Sequence, residues 1–93
     1  MSNSYNDLVK CFNEGIKKRE KGNFDKDDVK AIYKAASDLF DVDVNLDRKQ
    51  LEEIRDKWIA LADGKIDKGN AMKKLQGTSR AEAIQSVLMS SIK

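Results

Sequence analysis

Three stretches of this chain begin a helix in the same way, with an apolar residue, then aspartate, then an amphipathic pattern. They are Phe24-Asp25, Leu46-Asp47 and Ile66-Asp67, and a fourth start at Ser79 carries Glu82 three residues on. A carboxylate at the cap position accepts hydrogen bonds from backbone N–H groups that have no partner inside the helix. The apolar residue before each aspartate can meet the residue four beyond it, Val29, Leu51 or Ala71, in a hydrophobic staple. Starts this regular predict an all-α fold, a compact bundle of four to five short helices.

The rest of the chain fits that reading. Ser4, with Asp7 three residues on, predicts a first helix whose apolar positions are Tyr5, Leu8, Val9, Phe12 and Ile16 and which ends before Gly22. The basic run Lys17 to Lys21 falls at its C-terminus, where cations complement the helix dipole; a docking patch for an acidic partner is the other use of such a run. A second helix is expected from Lys26 to Asp38 or Phe40, with Val29, Ile32, Tyr33, Ala36 and Phe40 on one face. The third follows Asp47, with Gln50 completing a capping box and Leu51, Ile54, Trp58 and Leu61 as its stripe. Gly64 stops it, Asp67 starts a short fourth helix that Gly77 ends, and a fifth runs from Arg80 to Ile92.

The segment Gly22 to Val29 has a faint echo in Gly64 to Ala71. Duplication of a paired-helix unit would produce it, and so would a shared sequence of stop, staple and cap. With 93 residues and no proline, one domain over 1–93 with short connections is expected.

Composition narrows the chemistry. The chain has 18 basic and 16 acidic residues and a formal charge of +2, which gives no electrostatic basis for nucleic-acid binding. The final helix has only Arg80 and Lys93 as positive residues, too few to anchor a phosphate backbone. Histidine is absent and Cys11 is the single cysteine, so neither a general base of the usual kind nor a thiolate metal cluster is available. Cys11 beside Phe12 reads as a buried small hydrophobe. No enzymatic activity is expected. The N-terminus lacks a basic region followed by an apolar run, and no stretch approaches the length of a membrane span. A cytoplasmic protein without membrane insertion is expected.

Two local resemblances suggest ligands. Asp41, Asp43, Asn45 and Asp47 alternate, and Glu52 stands at position twelve counted from Asp41. This resembles an EF-hand calcium loop, in which several carboxylate and carbonyl oxygens and a terminal bidentate glutamate surround the ion. Position six, glycine in such loops, is Leu46, and position eight, normally aliphatic, is Arg48. The resemblance implies calcium as the cofactor and Asp41, Asp43, Asn45, Asp47 and Glu52 as its ligands.

The segment Ala71-Met72-Lys73-Lys74-Leu75-Gln76-Gly77-Thr78-Ser79 is similar to the stretch before the final helix of acyl-CoA-binding proteins. That family is an all-helical bundle holding long-chain acyl-CoA in a shallow groove with tyrosines and lysines. The resemblance implies an acyl-CoA-type ligand, with Tyr33 as a contacting tyrosine and Lys68 as a phosphate-contacting lysine. The lysine expected one turn after Tyr33 is Ser37 here, and the tyrosine of the last helix falls near Val87.

The leading expectation is a small non-catalytic interaction module, an inhibitor, adaptor or immunity-type protein, that binds another protein through an apolar surface between helices. Trp58, Tyr33, Leu88 and Met89 are the expected partner contacts, since large apolar and aromatic side chains carry interface energy. Trp58 as the central packing residue, and the last helix as the closure of the bundle, are the structural readings of the same residues. Self-association is left open by the sequence.

Overall fold

The computed structural model describes residues 4–41 and 45–92. Five helices make up its regular structure: α1 (Ser4–Glu20), α2 (Lys26–Asp41), α3 (Arg48–Leu61), α4 (Lys68–Leu75) and α5 (Arg80–Ser90). They close a ring in which α1 packs on both α2 and α3, α2 on α5, and α3 on α4, while α4 meets α5 more sparingly. One apolar cluster fills the centre and draws on all five helices, with Phe12, Ile32, Trp58, Leu75 and Ile84 fully enclosed. This is the all-α bundle that the capping pattern predicts.

The aspartate starts act as local chemistry requires. Asp47 has extended backbone (φ −77°, ψ 172°); its carboxylate accepts from the Gln50 N–H at 2.8 Å, and the Gln50 side chain accepts from the Asp47 N–H at 3.0 Å. Asp67 accepts from the Asn70 N–H at 2.7 Å. Asp25 and Asp28 bond reciprocally, each carboxylate accepting the other's backbone N–H. Asp47→Ala is expected to remove the carboxylate half of its box, leaving its own N–H bonded to Gln50, and to destabilise the protein by about 1 kcal/mol, within the cap range of about 0.5–2. Urea denaturation followed by circular dichroism measures it; an unchanged midpoint would mean that packing alone sets the start of α3.

Ser79 departs from its expected role. Its backbone (φ −106°, ψ 46°) is not extended like that of Asp47, and its hydroxyl makes no capping bond. Helix α1 begins at Ser4, as expected. Helix α2 continues to Asp41, further than expected, and α5 ends sooner, at Ser90. Gly77 follows the end of α4 without positive φ, whereas Gly22 and Gly64 both take φ of 77°. At Gly22 the Asn23 N–H reaches the Lys18 carbonyl and the Gly22 N–H the Arg19 carbonyl, a Schellman closure.

The basic run at the end of α1 is tied to the fold. Lys18 Nζ lies 2.7 Å from Asp28 Oδ1, and Arg19 reaches both Asp63 (3.6 Å) and the Phe24 ring (5.8 Å to its centroid). Burial pushes the Asp28 carboxyl up; the Lys18 ammonium and the Asp25 N–H outweigh that and hold it below the ordinary range. The pairing in turn raises Lys18. These contacts join the start of α2 to the end of α1.

Candidate functional site

Among the described residues, a groove of about 460 Å³ lies between the C-terminal half of α2 and the α4–α5 corner. Tyr33, Ser37, Phe40 and Asp41 form one wall, since their spacing places them on the side of α2 that faces α5. Thr78, Ser79, Arg80 and Glu82 form the other. Because the Ser79 hydroxyl does not cap α5, it is not committed to the helix end. Asn45 closes the groove near the start of α3.

A smaller chamber of about 270 Å³ adjoins it and shares Asn45, Gln76 and Arg80 with it. Its remaining lining is Leu46, Leu51 and Leu75. Leu46 and Leu51 are the staple positions flanking the Asp47 cap, so the local start of α3 also builds this recess.

Arg80 stands between the two spaces. Its Nε donates to the Gly77 carbonyl at 3.0 Å, and its guanidinium carbon sits 5.4 Å from the centroid of the Phe40 ring. Arg19, Arg48 and Arg55 each have a carboxylate partner. Arg80 has none among the described residues, although it is partly withdrawn from solvent. Sequence reasoning singled it out only as a weak phosphate anchor. The signal for more than that is positional: a basic residue directly after Thr-Ser at a short corner, on the side facing the aromatic Phe40.

The residues expected at a site scatter. Tyr33 lines the groove; Lys68 is exposed at the start of α4 and does not, so the two do not converge on it. Trp58 and Leu88 have no exposed surface and serve the core, which corrects their expected place in a partner-contacting face. Met89, 39 % exposed, is the most exposed large apolar side chain among the described residues.

Among the described residues, the alternating oxygens have separate tasks. Asp41 is the last residue of α2, Asp47 spends its carboxylate on the α3 cap, and Glu52 pairs with Arg48 at 3.2 Å. Asp41 and Asn45 line the groove, whereas Asp43 lies outside the described residues. Among the described residues no three His, Cys, Asp or Glu side chains gather in a way that could hold a metal ion. The spacing matched an EF-hand, but a helix that runs through position one and a cap at position seven point the oxygens to separate tasks.

Cys11 is half-buried in the crevice between α1 and α2 beside Ala31. Burial first, then the nearby Glu14 and Asp7 carboxylates, push its thiol up, away from the thiolate that nucleophilic chemistry needs. Tyr5 donates to Glu53 at 2.8 Å across the α1–α3 contact, and burial together with that bond raises its hydroxyl to about 12. Among the described residues, no helix is long and apolar enough to cross a membrane. No protein-family model, curated protein or solved structure matches this chain.

Proposed function

We propose that this is a non-catalytic binding module of the cytoplasm, an adaptor, inhibitor or immunity-type protein, that holds a protein partner in the groove between α2 and the α4–α5 corner. The observation that carries the reading is the groove itself. Its two walls carry Tyr33 and Ser37 on one side and Thr78 and Ser79 on the other, with Phe40 in the α2 wall. Hydroxyls that both donate and accept, placed beside an aromatic surface, suit a peptide backbone with alternating N–H and C=O groups. The contact surface is therefore amphipathic, in place of the wholly apolar face expected from Trp58 and Leu88.

Ser37→Trp, which fills the groove from the α2 side, tests this, with Lys10→Trp on the exposed face of α1 as control. All three proteins are immobilised and exposed to lysate. A protein retained near one-to-one by the unaltered chain and by Lys10→Trp, and lost by a Ser37→Trp form of unchanged melting temperature, supports the reading. Equal retention on all three would place the partner elsewhere and sink it.

A second reading has one observation in its favour. Tyr33 and the Gly77-Thr78-Ser79 stretch, which carry the similarity to acyl-CoA-binding proteins, line the same groove. With Lys68 outside it, phosphate contact would fall to Arg80. Calorimetric titration with palmitoyl-CoA, repeated with Ser37→Trp, separates this from the peptide reading.

A further inference from the structure

The turn between α3 and α4 carries a reactive pair of residues. Asp63 is followed by Gly64, and it is the one aspartate or asparagine of the chain that directly precedes a glycine. Both residues take left-handed backbone, Asp63 with φ of 54° and Gly64 with φ of 77°. Glycine has no Cβ to resist that conformation, whereas the Cβ of aspartate is crowded against the following carbonyl. The Asp63 side chain is 77 % exposed, and its ion-pair partner among the described residues is Arg19, at 3.6 Å.

An aspartyl side chain can reach the nitrogen of the next residue by closing a five-membered ring. In that closure the Gly64 nitrogen bonds to Asp63 Cγ, its proton leaves with the carboxyl hydroxyl as water, and a succinimide remains. Water then adds to one of the two imide carbonyls. Attack at Cγ breaks the new bond and restores aspartate. Attack at the former backbone carbonyl breaks the original peptide bond and leaves isoaspartate, whose main chain runs through Cβ and Cγ and whose old backbone carbonyl is a free carboxylate. One water is released and one taken up, with no change of oxidation state.

The fold leaves this step open. The Gly64 N–H makes no hydrogen bond among the described residues, although the N–H groups on either side of it bond to Ala60 and Ala62. Nothing lies within 4 Å of the place a Gly64 Cβ would occupy, so the peptide plane has room to turn. The crowding at Asp63 is absent from the isomer, because Cβ has become part of the main chain. Asp25, Asp47 and Asp67 differ on each count: their carboxylates accept backbone N–H bonds, and the residue after each is a lysine or arginine that opens a helix. We propose that Asp63-Gly64 is a site of spontaneous isomerisation in the folded protein, and that the aged chain is a substrate for enzymes that methylate isoaspartyl carboxylates. The proposal is independent of the groove.

The folded protein and a synthetic peptide of residues 58–65 are aged side by side in mildly acidic buffer, below the melting temperature of the protein. Each is then incubated with an isoaspartyl methyltransferase and tritiated S-adenosylmethionine, and tryptic fragments are mapped by mass spectrometry with electron-transfer fragmentation. Label is expected to collect in fragment 58–65, preceded by a form lighter by one water. The rate in the folded protein should lie within about ten-fold of that in the free peptide, so that the fold adds less than about 1.4 kcal/mol to the barrier. Asp63→Asn should label faster, because ammonia leaves in place of water. Asp63→Glu should lose the label, because its ring would need a sixth member. Circular dichroism checks that the aged protein and both variants keep their helices, and the comparison with the peptide needs no variant. Label in the peptide but none in fragment 58–65 of the folded protein overturns the proposal, as does label that persists in Asp63→Glu.

Discussion

Trp58→Ala is expected to cost about 3–5 kcal/mol, the range for removing a large enclosed aromatic side chain. Small domains hold roughly 5–15 kcal/mol in total, so the variant should be largely or wholly unfolded at modest urea concentrations. Trp58 has no exposed surface and sits in the one apolar cluster that joins the five helices. Its substitution therefore opens a void that no single helix can close by shifting. The indole Nε1 finds no hydrogen-bond partner among the described residues. Trp58→Phe consequently loses volume but no hydrogen bond, and even removes an unpaired buried donor, so its cost should be less than about half that of alanine. Urea titrations of the two variants, read by far-ultraviolet circular dichroism, decide it. Equal costs would mean that the enclosed ring volume contributes little, against its central place in the core.

Gly15→Leu should be the next most damaging change, at about 2–3 kcal/mol. Gly15 is a mid-helix residue of α1 and is buried. A Cβ at this position would lie 3.2 Å from both Leu61 Cδ2 and Phe24 Cε1, and 3.4 Å from Ile32 Cδ1. Leucine adds three further carbons where α1 already touches α2, α3 and the turn before α2, so the helices must part. Gly15→Ala sets two effects against each other: a helix-propensity gain of about 1 kcal/mol and a contact slightly too close for its neighbours. The alanine form is expected to stay within about 1 kcal/mol of the unaltered protein. Stability of the leucine variant equal to that of the alanine variant would show that α1 is free to move away, and would contradict the close approach.

Gly15 also marks the limit of what was legible in the chain. Its neighbours in sequence read as an ordinary amphipathic helix, in which a glycine only weakens the helix. The reason for it is three side chains from other elements. Arg80 is similar: its spacing is unremarkable, and its importance comes from Phe40 on α2 and Gly77 at the corner, which only packing places beside it. Tyr33 was legible as a residue at the rim of α2, but its distance from Lys68 was not, because nothing local relates the middle of α2 to the start of α4.

The starts at Asp25, Asp47 and Asp67 were readable because a cap joins groups no more than three residues apart and needs only an extended backbone at one position. Ser79 stands at the expected N-cap position of α5 but makes no capping bond. The short α4–α5 corner, with the Gly77 N–H bonded back to Lys74, leaves its backbone in another conformation. Of the alternating oxygens, Asp41 ends a helix, Asp47 serves a cap and Glu52 an ion pair: spacing counts residues, whereas a metal site needs side chains to converge.

By itself the sequence determined the helical class, the beginnings of three helices, the apolar faces and the closures at Gly22 and Gly64. These follow from interactions within one or two turns of chain. Tertiary structure alone decided that Trp58 and Leu88 lie inside, that residues of α2 and of the α4–α5 corner line one groove, and that Arg80 stands beside it without an acidic partner among the described residues. Each of these depends on which helix faces which, and that is settled by filling one shared core at close packing, a condition on the whole chain at once.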